Sequence, residues 1–192
     1  METDPWLERW RERIGAQAMT PEILELGCGE GRDTRFLLSA GFDRVTALDI
    51  SEQALAECRK LPGSPRCLLH DLREPLPFAD GTYEVVLASL CLHYFSWDIT
   101  GAAMQEIWRV LKRGGLLLCR VNSTRDVHYG AAGHAELGHH YYRVGEKQKR
   151  FFDRTDIETL FDPSWRRLAV QELEIDRYAK PKTVWEVVLT KG

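Results

Sequence analysis

The stretch EILELGCGEGRDT, Glu22 to Thr34, constrains the fold more than any other part of the chain. An apolar run of strand length stops at three glycines within five residues, and a segment compatible with a helix follows at once. Glycine admits left-handed backbone and close approach of another group. The stretch therefore predicts a strand, a tight turn and a helix, the unit from which parallel sheets are wound. The alternation continues, with strands expected at Glu22 to Leu26, Arg44 to Ile50 and Arg66 to Leu69 and helices at Asp33 to Ala40 and Ser51 to Lys60. After the PLPFADGT turn, YEVVLAS has the continuous apolar character of a buried strand. A helix over Ile99 to Leu111 is closed by Gly114 and Gly115, and LLLCRV is a fifth strand. Right-handed crossovers then place helices on both faces of a doubly wound α/β sheet.

The flanks read differently. Asp4 followed by Pro5 is a helix-start signal, and Trp6, Trp10 and Ile14 recur at intervals of four, so an amphipathic helix ending near Gly15 is expected within a 1–20 N-terminal segment. Asn122 to Gly138 is rich in small, polar and histidine residues and reads as a loop; HHYYRV, GEKQ and KRFF then resemble a hairpin, making 122–152 a candidate lid. A short helix near Asp153 to Phe161 precedes two strands, Arg167 to Ile175 and Thr183 to Thr190. The connection between them is too short for a crossover helix, so they run antiparallel. With 192 residues and 44% hydrophobic content, one domain over 1–192 is expected.

Composition excludes several classes. A formal charge of -3 gives no global attraction to nucleic acid, so none is expected as a partner. Cys28, Cys58, Cys67, Cys91 and Cys119 are odd in number and contain no CxxC pair, which fits a reducing cytoplasm. No apolar run reaches the roughly 20 residues of a membrane span, and the N-terminus lacks a signal-peptide pattern, so a cytoplasmic protein without a membrane partner is expected.

The ligand class follows from the glycine loop and one acid. In an open parallel sheet, ligands bind beyond the carboxyl ends of the strands. Asp49 ends the second strand 18 residues after Gly31, where doubly wound folds place a carboxylate for ribose hydroxyls. A dinucleotide site uses GxGxxG; here the pattern is GxGxG, and Arg32 stands where the third glycine would be. A nucleoside ligand other than a dinucleotide is expected.

These residues resemble the class I S-adenosylmethionine-dependent methyltransferases across nearly the whole chain. LELGCGEGRDT is similar to the family's first motif and VTALDIS to its acid-ended second strand. LLHDLREPLPFADGTYEVVLASLCLHYF resembles the third and fourth strands with their connections, and VLKRGGLLL the glycine turn before strand five. The resemblance implies a Rossmann-like seven-stranded sheet, mostly parallel with its last strand inserted antiparallel, and S-adenosyl-L-methionine as cofactor. It implies that Glu25, Gly27, Cys28, Gly29 and Gly31 border the methionine and ribose portions and that Asp49 holds the ribose. Ile50 would flank the adenine with Asp71 and Leu72, Ser51 would lie beside Asp49, and Ser89 and Leu90 near the sulfonium. Bland alternatives stand beside these roles: Glu25 serving helix termini, Asp71 as a solvated turn residue, and Ser51 as the helix cap.

His93 and Tyr94 are the candidate catalytic residues, with His93 either a general base or a histidine bonded near a helix start. A sulfonium is intrinsically a good leaving group, so alignment and exclusion of water can suffice without a base. Asn122, His128, Tyr129, His139, Tyr141 and Tyr142 are candidate contacts to a small-molecule methyl acceptor. The histidines there lack an HxxxH pair or a carboxylate at ligand spacing, so no metal site is expected. Arg143, Lys147, Lys149 and Arg150 read as a solvated hairpin face. Two other readings remain open: a cofactor-binding domain without catalysis, serving as a sensor or inactive partner, and a dinucleotide oxidoreductase. Oligomeric state is open as well.

Overall fold

The computed structural model describes residues 5–176 and 178–192. A seven-stranded sheet has the order β3-β2-β1-β4-β5-β10-β9. Its strands are β1 (Ile23–Leu26), β2 (Val45–Asp49), β3 (Arg66–Leu69), β4 (Tyr83–Ser89), β5 (Leu111–Asn122), β9 (Trp165–Ile175) and β10 (Lys182–Lys191). All neighbours from β3 to β5 pair in parallel, whereas β10 is antiparallel to both β5 and β9. The expected doubly wound sheet with an inserted antiparallel strand is therefore the architecture found.

Alternation along each strand sorts the core into two layers. Leu24, Leu26, Val86, Ala88 and Leu117 pack with α4 (Trp97–Val110) and α5 (Arg154–Leu160). Ile23, Val85, Leu87, Leu116 and Leu118 pack with Leu37 of α2 (Arg32–Ser39) and with Trp6, Leu7 and Ile14 of the N-terminal segment. Burial on both faces explains why the central strands read as continuous apolar runs. A third cluster joins Cys28, Ala47 and Leu61 to Leu55 and Cys58 of α3 (Glu52–Cys58).

Two local expectations change. The N-terminal segment is a 3-10 turn, Pro5–Trp10, followed by α1, Arg11–Gly15. Trp6 and Ile14 are buried as their spacing predicts, but Leu7 is buried beside them, because a 3-10 turn of three residues per turn rotates the buried face. Asp4, the expected cap, lies outside the described residues. Gly114 and Gly115 belong to β5: the chain pairs at Tyr83↔Leu111 and again at Val85↔Leu116, so Lys112 to Gly115 bulge out between.

The segment after β5 is more ordered than its composition suggests. A 3-10 turn, Val127–Tyr129, leads to β6 (Ala135–Gly138), β7 (Tyr141–Val144) and β8 (Lys147–Arg150), a separate three-stranded antiparallel sheet. The hairpin of β7 and β8 is as expected; β6 replaces the end of the expected loop, since exposed Ala135 to Gly138 find their hydrogen-bond partners on β7. The excursion closes on itself, with a bridge between Ser123 and Phe152 and a bond from the Phe152 N–H to the Asn122 carbonyl (2.9 Å). It is thus a clasped flap at the carboxyl end of the sheet. Among the described residues, no helix is long and apolar enough to cross a membrane.

Candidate active site

A cavity of about 610 Å³ opens beyond the carboxyl ends of the parallel strands. Gly27, Asp49 and Ile50 at the strand ends line it together with Leu90, Tyr94 and Ile99 and with Tyr141 and Gln148 of the flap. The glycine turn forms its edge. A Cβ at Gly27 would meet the Cβ of Cys91 at 2.4 Å, and one at Gly31 the side chains of Leu61 (2.7 Å) and Cys58 (2.8 Å). Both also have positive φ, 63° and 80°. These glycines are thus required by the chain's own packing. Gly29 alone faces open space, with nothing within 4 Å of a notional Cβ.

Asp49 is fixed by backbone donors: the Gly29 N–H bonds its Oδ2 (2.8 Å) and the Ser51 N–H its Oδ1 (2.9 Å). Each carboxylate oxygen keeps a free lone pair for a ligand hydroxyl. Ser51 caps α3, its Oγ accepting from the Ala54 N–H (3.2 Å). Ile50 is 63% exposed although apolar, and it forms cavity wall with Leu72. Asp71 lines the same wall and accepts from the Arg73 Nε at 2.8 and 3.0 Å. The Arg73 guanidinium holds its carboxyl below the usual carboxylate range.

The remaining candidates divide. Leu90 lines the cavity at φ 59°, a left-handed conformation costing roughly 1–3 kcal/mol in a residue with a side chain; its N–H bonds the Arg120 carbonyl (2.8 Å). Ser89 turns the other way, its Oγ accepting from the guanidinium of buried Arg120 (3.0 and 3.1 Å), which stacks on Trp6. Glu25 is buried on the same side, accepting from the Thr34 hydroxyl at the start of α2. Cys28 is buried under the turn. Sequence reasoning missed Arg120, because an arginine inside an apolar strand carries no motif.

The two candidate catalytic residues separate. His93 is only 3% exposed and does not line the cavity, whereas adjacent Tyr94 does. Both lie in one 3-10 turn, Leu92–Tyr94, with their ring centroids 4.3 Å apart. Burial, reinforced by Lys182, Lys149 and Lys147, pushes the imidazole pKa well below its ordinary value. Burial raises the Tyr94 phenol, so it is protonated at neutral pH.

Of the six candidate acceptor contacts, Tyr141 reaches the cavity, its hydroxyl donating to Gln148 Oε1 (2.7 Å). The other five lie elsewhere. Asn122 is fully buried where the flap leaves β5; His128 is exposed on its outer turn; Tyr129 packs on Tyr178; Tyr142 packs on Phe151. His139 faces Asp156 at the start of α5. Gln148 was missed, since a lone glutamine in a charged strand gives no signal.

The sheet order, the inserted antiparallel strand and a cavity at the glycine turn define a class I methyltransferase fold. Residues 23–115 match the family model of the methyltransferase domain. Among curated proteins, the chain is 28% identical over 155 residues to a malonyl-(acyl-carrier protein) O-methyltransferase of Enterobacter lignolyticus. The match covers 80% of this chain and 57% of that protein, so the chain spans little more than half of that relative's length. A methyltransferase structure from Methanosarcina mazei superposes with a TM-score of 0.75 at 19% identity, covering 91% of this chain and 93% of that one. A Burkholderia thailandensis 1,6-didemethyltoxoflavin-N1-methyltransferase, solved with its substrate and S-adenosylhomocysteine, gives 0.72 at 19% identity, covering 98% and 79%. Residues 23–115 thus carry a match to the methyltransferase domain, on a chain whose fold is that of the class I S-adenosylmethionine-dependent methyltransferases. The residues present fit that cofactor: Gly29 leaves open space beside Asp49, and exposed Ile50 offers an apolar wall.

Proposed function

We propose that the protein transfers the methyl group of S-adenosylmethionine to a small-molecule acceptor held between the strand ends and the flap. The observation that carries this reading is continuity: one cavity runs from Asp49 at the glycine turn to Tyr94 and Tyr141. In this reading Asp49 accepts from the ribose hydroxyls, Ile50 and Leu72 flank the adenine, and Asp71 accepts from its amino group while Arg73 holds it in place. The Leu90 carbonyl faces the sulfonium. When bound, the cofactor supplies a methyl group that carries its own leaving group, so the chain's task is alignment and exclusion of water. That division suits a site in which His93 is walled off and Tyr94 keeps its proton. Tyr94 and Tyr141 serve as walls that orient the acceptor.

A second reading, an acyl group presented on a carrier protein, draws support from the name of the Enterobacter relative. Comparing free acids and short thioesters with the same acyl group on an acyl carrier protein separates the two.

The first test is calorimetric titration of S-adenosylhomocysteine into the wild type and Asp49→Ala. Micromolar binding that weakens by about 1.5–3 kcal/mol, the range for hydrogen bonds to a charged group, supports the reading. Absence of binding to the wild type sinks it.

A further inference from the structure

The flap and α5 bring together four residues that the methyl-transfer reading does not use. His139, His140, Asp153 and Asp156 each offer one ligand atom, and all four atoms lie within 4.8 Å of one another. His139 Nε2 lies 3.2 Å from Asp156 Oδ1, and His140 Nδ1 lies 2.8 Å from Asp156 Oδ2. A tetrahedral ion with bonds of about 2.0–2.2 Å sets its ligand atoms about 3.3 Å apart, close to the first of these spacings. We propose that these residues form a divalent-cation site of the zinc class, which pins the flap to the first turn of α5.

Three features support a built site. His139 and His140 form the turn between β6 and β7, and their imidazole rings lie side by side, 3.9 Å apart. The left-handed backbone of His140, φ 51°, turns both toward one carboxylate. The carboxylates are oriented in advance: Asp153 Oδ1 accepts from the Asp156 N–H (2.8 Å) and Asp156 Oδ2 from the Asp153 N–H (3.1 Å). Such outer bonds fix ligand geometry; Asp156 Oδ2 already meets both the Asp153 N–H and His140 Nδ1, so Asp156 Oδ1 is the oxygen left for an ion, which would take the place of the His140 hydrogen bond. His139 is 69% exposed in its side chain, so an ion reaches the cluster from solvent.

The donor set decides the metal. Two imidazoles and two carboxylates suit zinc or cobalt, while magnesium and calcium demand more oxygen ligands. The positive end of α5 and the Arg150 guanidinium, which bonds the His139 carbonyl (2.8 Å), oppose a cation; two carboxylates offset them. Occupancy bears on the cavity because His140 is followed directly by Tyr141, which lines it. The ion would hold the flap closed over the acceptor side.

Zinc chloride alone is titrated into the full chain after chelator treatment. Expected are one ion per chain with micromolar affinity and a loss of about tenfold or more in His139→Ala and in His140→Ala. Cobalt in place of zinc should give the intense visible bands of a tetrahedral site without the near-ultraviolet band of thiolate ligation. Affinity unchanged in both histidine variants would overturn the proposal and move the ion elsewhere, the Cys28, Cys58 and Cys67 neighbourhood included. Binding weaker than millimolar would also overturn it, leaving a hydrogen-bonded cluster only. A melting temperature of metal-free His139→Ala equal to the wild type confirms that the variant reports on the ion and not on folding.

Discussion

His93 and Tyr94 are adjacent, and a single 3-10 turn gives them opposite environments: one ring is sealed behind the cavity wall and the other faces the cavity. The sealed imidazole has a proton-binding consequence for stability. Its ordinary pKa is 6.5, and burial depresses it in the folded protein. Below about pH 6.5 the unfolded chain therefore binds a proton that the folded chain refuses, so stability falls as the pH falls through that range. Urea unfolding between about pH 7.5 and 5 should show this decline, and His93→Gln should flatten it; an equal slope in both proteins would assign the decline to other groups. The glycines teach a related lesson. Their clustering marked the turn, but whether each makes room for a ligand or for Cys91, Leu61 and Cys58 depends on contacts with residues distant in sequence.

The flap is the element least legible in the sequence. Its hairpin was visible in the alternating HHYYRV, whereas β6 was not, because Ala135 to Gly138 are all exposed and carry no apolar periodicity. Its anchoring depends on buried polar groups. Asp126 Oδ2 accepts from Lys182 Nζ at 2.5 Å, linking the start of the flap to β10 with both side chains nearly inaccessible. Burial lowers the lysine pKa and the carboxylate partly restores it. Asp126→Asn leaves that lysine without its counter-charge and should cost about 3–5 kcal/mol, read as a lower urea midpoint. Adding Lys182→Met should recover most of the loss. A loss under about 1 kcal/mol, as for an exposed pair, would show that the pair does not hold the flap.

For the molecule as a whole, a ligand that binds only the folded chain stabilises the entire fold. By mass action, S-adenosylhomocysteine at about 100 times its dissociation constant adds about 2.7 kcal/mol. For a chain of this size that is a rise in Tm of roughly 5–11 °C, measurable by thermal denaturation. No shift at saturating concentration would contradict the proposed ligand.

The sequence by itself determined the order of strands and helices, the glycine turn and Asp49 at a strand end. Each is written locally: in apolar runs, in breaker residues and in the spacing of one short crossover. Tertiary structure alone decided which side chains face the cavity. It hid His93, turned Ser89 toward Arg120, brought Gln148 to the acceptor side and joined His139 and His140 to Asp153 and Asp156. Those outcomes depend on contacts between segments far apart in the chain, and local periodicity holds no record of them.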